Sequence, residues 1–274
     1  MKNEKLLSSP RLRELKRKRK KAFATKITLV AVCVLVLIVG LALVSRIGKL
    51  QLSNVEISGN KVVESKALED SIRNEISGKY LWLFPKSNFI LYPKSKIKEN
   101  LAVNFKRLKD VSVSTKNPTT LQVNLSEREG KYTWCGGEPN VEAEKCYFLD
   151  ESGYIFDEAP YFSGSVYFKF YGKKGDYFAP GNWAKFMGFK ENLEKMGIKP
   201  TSLYMKDDGD SEVYLGLSGK PKILIKTDSD LNKMAENLQA ALSTQPLQND
   251  FVKKYSSLEY IDLRFGNKVY YKFQ

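Results

Sequence analysis

ITLVAVCVLVLIVGLALV, residues 27–44, carries no charged residue and no proline, and its only polar side-chain groups are the Thr28 hydroxyl and the Cys33 thiol. As a helix rising about 1.5 Å per residue it would cover about 27 Å, close to the thickness of a bilayer's hydrocarbon core. A backbone in lipid must satisfy its own amides, so a single membrane-spanning helix is predicted, 27–46 with its flank. The 26 residues before it hold eleven Lys/Arg against Glu4 and Glu14, a net +9 out of +14 for the chain. By the positive-inside rule the basic tail, 1–26, is cytoplasmic and all that follows the helix is extracytoplasmic. After Val44 comes Ser45-Arg46-Ile47-Gly48-Lys49, with a bulky Ile and two cations where a cleavage site would need small residues. An uncleaved anchor is therefore expected rather than a removed signal.

The tail has no aromatic interleaving beyond Phe23, and it abuts the apolar stretch. That pattern points to a topology signal that attracts anionic lipid headgroups, not to a nucleic-acid partner. The rest of the chain carries 34 Lys/Arg against 29 Asp/Glu, an ordinary solvated surface. The chain has no His. The commonest general base and metal ligand are thus missing, while Ser–Lys and paired-carboxylate chemistry stay open. Of three cysteines, Cys33 sits in the apolar stretch, as a filler or a lipidation site. Cys135 and Cys146 flank the turn-rich Gly136-Gly137-Glu138-Pro139-Asn140, whose flanks could pair as strands. An oxidising exterior would permit a disulfide there; two unpaired thiols are the alternative. Two thiols without His make an incomplete metal site, and no cofactor motif is present.

Residues 50–128 read as one domain. Leu52, Val55 and Ile57 fall in a short strand that stops at Gly59-Asn60. A helix follows from Ser65, a candidate N-cap, to Ile76, with Leu68, Ile72 and Ile76 on one face and Gly78 as its stop. The aromatic, proline-broken stretch 80–93 reads as a loop. Its Trp82, Phe84, Phe89 and Tyr92 either form an exposed interface patch or roof the helices. A second helix spans 94–104 with Ile97 and Leu101 inward. Two strands then face each other across Asn117-Pro118, with Val111 and Val113 alternating on one and Leu121, Val123 and Leu125 on the other. The order is β-α-α-β-β.

This order, directly after a single anchor, resembles a POTRA domain. Val55-Glu56-Ile57-Ser58-Gly59-Asn60 looks like that module's opening V-x-I-x-G-N, and Asn117–Arg128 is similar to its closing hairpin with a terminal E-R pair. In the FtsQ/DivIB family of bacterial division proteins a second β-rich domain follows. Residues 129–274 carry its marks. Cys146–Phe156 resembles the segment "lvD-x-x-G-x-vF", with Glu151-Ser152-Gly153 as the turn of a hairpin. Tyr260-Ile261-Asp262-Leu263-Arg264-Phe265, then Gly266-Asn267, looks like the "iDLR-aromatic" ending. Between them lie a strand at 166–171, a helix at 183–196, strands at 202–205, 212–217 and 221–226, and a helix opened by Thr227-Asp228-Ser229-Asp230. The expected class is α+β: one transmembrane helix, a POTRA-like domain, then a larger β-sheet domain with flanking helices.

The resemblance implies a non-enzymatic scaffold of the division machinery at the division site in the cytoplasmic membrane. In the family the terminal strand receives FtsB by strand addition, alongside FtsL. Carried over, the partner-binding positions are Arg264, Phe265, Asn267, Lys268, Val269 and Tyr270. The alternative for Phe265, Val269 and Tyr271 is the core face of an edge strand. Two other functions compete. One is an anchored enzyme acting on cell-wall polymer, for which Asp207-Asp208 and Asp228/Asp230 are the carboxylates, although turns and helix caps want them too. The other is a generic POTRA chaperone.

Overall fold

The computed structural model describes residues 10–139, 145–162, 164–216, 220–245 and 247–274. Most of the Gly136–Asn140 loop is described; Asn140 and the predicted strand end and turn at 217–219 lie outside these residues, as do Lys2, Glu4 and Lys5 of the tail. The chain divides into two units, Met1–Glu127 and Arg128–Gln274.

In the first unit, α1 (Pro10–Ser45) contains the stretch 27–44 and reaches far into the basic tail. Lys, Arg, Ala and Leu are good helix formers, so the helix does not wait for the apolar run. Among the described residues it is the one helix long and apolar enough to cross a membrane, and its apolar side chains are largely exposed.

β1 (Asn54–Ser58), α2 (Ser65–Ile76), the short hairpin β2–β3 (Lys79–Tyr80, Phe84–Pro85), α3 (Lys94–Asn104), β4 (Leu108–Asn117) and β5 (Thr120–Glu127) follow. The sheet order is β1-β5-β4, with β1 parallel to β5 and β4 antiparallel to it. Val113 faces Val123 and Val111 faces Leu125, which sets the apolar side of the hairpin toward Leu68, Ile72, Ile97 and Leu101 of the two helices. Val55 and Ile57 are only half-buried because β1 is the sheet's edge.

Ser65 is not the cap of α2. Glu64 occupies that position, and the Asn60 amide donates to Ser65 Oγ at 2.8 Å and to Val63 O at 2.9 Å. The predicted loop at 80–93 holds for most of its length, but its first part closes as a short hairpin, Lys79–Tyr80 on Phe84–Pro85. Its aromatics divide: Phe89 and Tyr92 pack on the core, whereas Trp82 stands 90% exposed.

The second unit carries β6 (Tyr132–Trp134), β7 (Cys146–Leu149), β8 (Ile155–Ala159), β9 (Lys169–Tyr171), α4 (Trp183–Lys195), β10 (Ser202–Met205), β11 (Asp210–Tyr214), β12 (Lys222–Lys226), α5 (Leu231–Leu242), α6 (Leu247–Lys253), β13 (Leu258–Phe265) and β14 (Lys268–Phe273). They form a sheet of nine strands in the order β14-β13-β12-β11-β10-β9-β6-β7-β8. Phe186, Phe189 and Leu193 of α4 and Leu231, Met234 and Leu238 of α5 share one core with the strands. Asp230 caps α5, its carboxylate accepting from Asn232 N at 3.0 Å and Lys233 N at 3.1 Å. β6 and β7 pair antiparallel, and Cys135 and Cys146 beside that pair are joined in a disulfide. β9 is shorter than the predicted strand at 166–171, and α6 had no strong signal in the sequence.

Candidate functional site

Two motif residues at the junction of the units explain the E-R pair. The Glu127 carboxylate, at the end of β5, accepts from the backbone N–H groups of Lys61, Val62 and Val63 at 2.8–3.0 Å. This ties the Gly59-Asn60 turn to the last strand of its own unit. Burial alone would raise the Glu127 pKa, but these three donors hold its carboxyl below the usual range. Gly59 is required there: its φ is +94°, and a Cβ would lie 1.8 Å from Leu125 O. In the second unit, Arg128 pairs with buried Asp150 at 2.5 Å. Asp150 also accepts from Ser152 N at 2.8 Å and Tyr154 N at 3.1 Å, which builds the turn between β7 and β8.

The expected partner-binding segment lies at the end of the nine-stranded sheet. β14 pairs with β13 on one side and, among the described residues, with no strand on the other. The hairpin turn is pinned from α5, where the Asn237 amide donates to Gly266 O at 3.1 Å. Val269, Tyr271 and Phe273 pack on the core, and Lys268, Tyr270 and Lys272 take the other face. Gln274 N–H donates to Ser257 O at 2.8 Å. Backbone groups two residues apart in a strand point the same way, so Lys272, Tyr270 and Lys268 bond inward to β13. The N–H and C=O groups of Val269, Tyr271 and Phe273 face the open edge.

The six positions carried over from the resemblance take different places. Phe265 does not join the core. It is 56% exposed, and its ring meets that of Tyr270, 48% exposed, edge to face with centroids 5.4 Å apart. β13 bulges between Asp262 and Phe265, which turns Phe265 outward. Asn267 and Lys268 are exposed at the turn, and Val269 offers its backbone while its side chain packs inward.

Arg264 is engaged inside the sheet. Its guanidinium grips Asp262 through two bonds of 2.9 and 2.7 Å and reaches across β12 to Asp210 on β11. Burial would raise the Asp262 pKa, but the Arg264 side chain and backbone bonds hold it low; the Arg264 pKa is raised first by its bond to Asp262. On the same face as Asp210, buried Glu212 takes Lys206 at 2.7 Å, Lys222 at 3.0 Å and the Tyr214 hydroxyl at 2.6 Å. Its carboxyl is also held low, since these partners outweigh the burial that would raise it. The alternation of Asp262 and Arg264 on one face was a visible signal for this network; its partner Asp210 was not.

The Asp262 and Glu212 carboxyls are held low by their partners, the opposite of what a general acid requires. Asp208 and Asp230 serve a turn and a helix cap. Among the described residues no three His, Cys, Asp or Glu side chains gather as a metal site. A half-open groove beside the disulfide, lined by Tyr161, Phe162, Tyr167 and Tyr171, holds one carboxylate, Glu158, paired with Lys145 at 2.9 Å.

Residues 50–128 match the family model described as the POTRA domain, FtsQ-type. A search of curated proteins returned no match. An FtsQ-type POTRA domain behind a long apolar N-terminal helix agrees with the FtsQ/DivIB family.

Proposed function

We propose, with the FtsQ-type POTRA domain at residues 50–128 as premise, that this protein is a non-enzymatic, single-pass membrane scaffold of the bacterial division machinery. In this reading the basic tail is cytoplasmic, α1 spans the cytoplasmic membrane, and both folded units lie outside at the division site. The observation that carries the reading beyond its premise is the open edge of β14. A strand of an FtsB/FtsL-like partner would add to it, bonding to the outward backbone groups of Val269, Tyr271 and Phe273 and packing on the Phe265–Tyr270 pair. Arg264 then acts by holding β13 in place, and Lys268 and Asn267 border the contact. Tethering in one membrane raises the partners' effective concentration, so a short strand contact suffices.

The test is Val269→Pro. Its N–H faces the open edge, so proline removes an edge donor and blocks the approach of a strand while the β13 ladder stays intact. Net backbone bonds contribute about 1 kcal/mol each, and losing one or two with the steric block should weaken partner binding at least about tenfold. Co-purification of the FtsB/FtsL-like proteins from the same bacterium, together with mid-cell recruitment, would fall in Val269→Pro. A variant that folds and still binds as the parent does would place the contact elsewhere.

A further inference from the structure

The hairpin β2–β3 and the loop after it are joined to the end of α1. The last turn of α1 packs on β3, and Ala42, inside the apolar stretch, is buried there. The Asn88 amide, itself buried, donates to Ser45 O at 3.1 Å, and the Gln51 amide donates to the same oxygen at 2.5 Å. Arg46 reaches back to the carbonyls of Leu83 at 3.3 Å and Trp82 at 3.5 Å. Side-chain amides thus satisfy the Ser45 carbonyl at the end of the helix.

This joint fixes the height of the loop. Ala42 lies two residues before the end of the apolar stretch, about 3 Å along the axis, and the headgroup layer beyond the hydrocarbon is about 5–7 Å deep. A hairpin packed on that turn sits in the layer. At that level it presents Leu81 at 81%, Trp82 at 90% and Ile90 at 73% exposure, a concentration of bare apolar surface that is unusual in water. Leu81 and Trp82 both hold left-handed backbone conformations, φ +47° and +60°, which non-glycine side chains rarely adopt. The conformation drives both side chains out of the hairpin tip. Arg46 bonds to the Leu83 and Trp82 carbonyls, Lys79 lies in β2, and the Lys86 ammonium lies 5.9 Å from the Tyr80 ring. An apolar tip with a tryptophan, with Arg46, Lys79 and Lys86 beside its hairpin, fits the boundary between acyl chains and anionic headgroups.

We propose that residues 80–91 are a lipid-docking surface: Leu81, Trp82 and Ile90 enter the leaflet from which α1 emerges, and the POTRA domain is seated on the bilayer at a fixed height. The proposal rests on the reading of α1 as a membrane anchor. The chain contains three tryptophans, Trp82, Trp134 and Trp183, so one substitution isolates the signal. The full chain is reconstituted in vesicles of equal parts phosphatidylcholine and phosphatidylglycerol, with or without bromine on the acyl chains. Bromolipid should quench the parent's emission, and Trp82→Ser should lose most of that quenching with its circular dichroism unchanged. Ile90→Ser, which keeps all three tryptophans, should shift the emission of Trp82 to the red. Equal quenching in parent and Trp82→Ser overturns the proposal. So does a Trp82 that acrylamide reaches from water, which would leave the face for a protein. Flotation separates the two readings: a chain that floats with the vesicles but keeps Trp82 in water refutes docking alone. A chain that does not float refutes the anchor, and docking with it.

Discussion

Gly59→Ala perturbs the contact that closes the POTRA domain. The site has φ +94°, where an L-residue costs about 1–2 kcal/mol. The new Cβ would meet Leu125 O at 1.8 Å. Ordinary C···O contacts begin at about 3.3 Å, so the turn must withdraw by about 1.5 Å from a backbone atom that no rotamer change can move. That displacement pulls Lys61, Val62 and Val63 from Glu127, whose three bonds contribute about 1 kcal/mol each. The sum is about 4–5 kcal/mol. Gly78→Ala is the control. Its φ is +83°, but nothing lies within 4 Å of the new Cβ, so it bears the conformational cost alone. Hydrogen exchange on the full chain in detergent reads each unit separately, which a single global transition would not. Amides of β1 and β5 should exchange roughly three orders of magnitude faster in Gly59→Ala, and at least about tenfold faster than in Gly78→Ala. Equal protection in the two variants would refute the clash as the reason for this glycine.

Asp262, Asp150 and Glu212 all have pKa values held below their ordinary range. The stability they supply is therefore complete above about pH 5 and is lost as pH falls below about 4, so urea midpoints of the second unit should drop on acidification and not rise. Asp262→Asn weakens the grip on Arg264 and should cost about 1–3 kcal/mol at neutral pH, with less of the acid-dependent fall remaining; an unchanged midpoint would show the network to be dispensable. Opening the Cys135–Cys146 bond releases a short loop and should cost about 2 kcal/mol. Thiol titration of the denatured chain checks that bond, with Cys33 alone reacting before reduction and three thiols after it.

The anchor was legible from residues 27–44 because hydropathy and length are local properties. The turns at Gly59-Asn60, Glu151-Ser152-Gly153 and Gly266-Asn267, the helices at 65–76, 94–104 and 183–195, and the β-α-α-β-β order were legible for the same reason, since periodicity and glycine position act within a few residues. What the sequence left open depends on pairing between distant segments. β9 lies parallel to both β6 and β10, and this nonsequential order decides that β8 and β14 are the ends of the sheet. Alternation left Phe265 open between a partner-binding position and the alternative of a core face; with a bulge in β13, set by its register with β14, the side chain stands exposed. The pairing of Arg264, an expected contact residue, with Asp210 two strands away was carried by no local pattern. The same holds for the aromatics of 80–92. Composition could not say which would roof the helices and which would stay bare, because that choice was made by the packing of the hairpin against the last turn of α1.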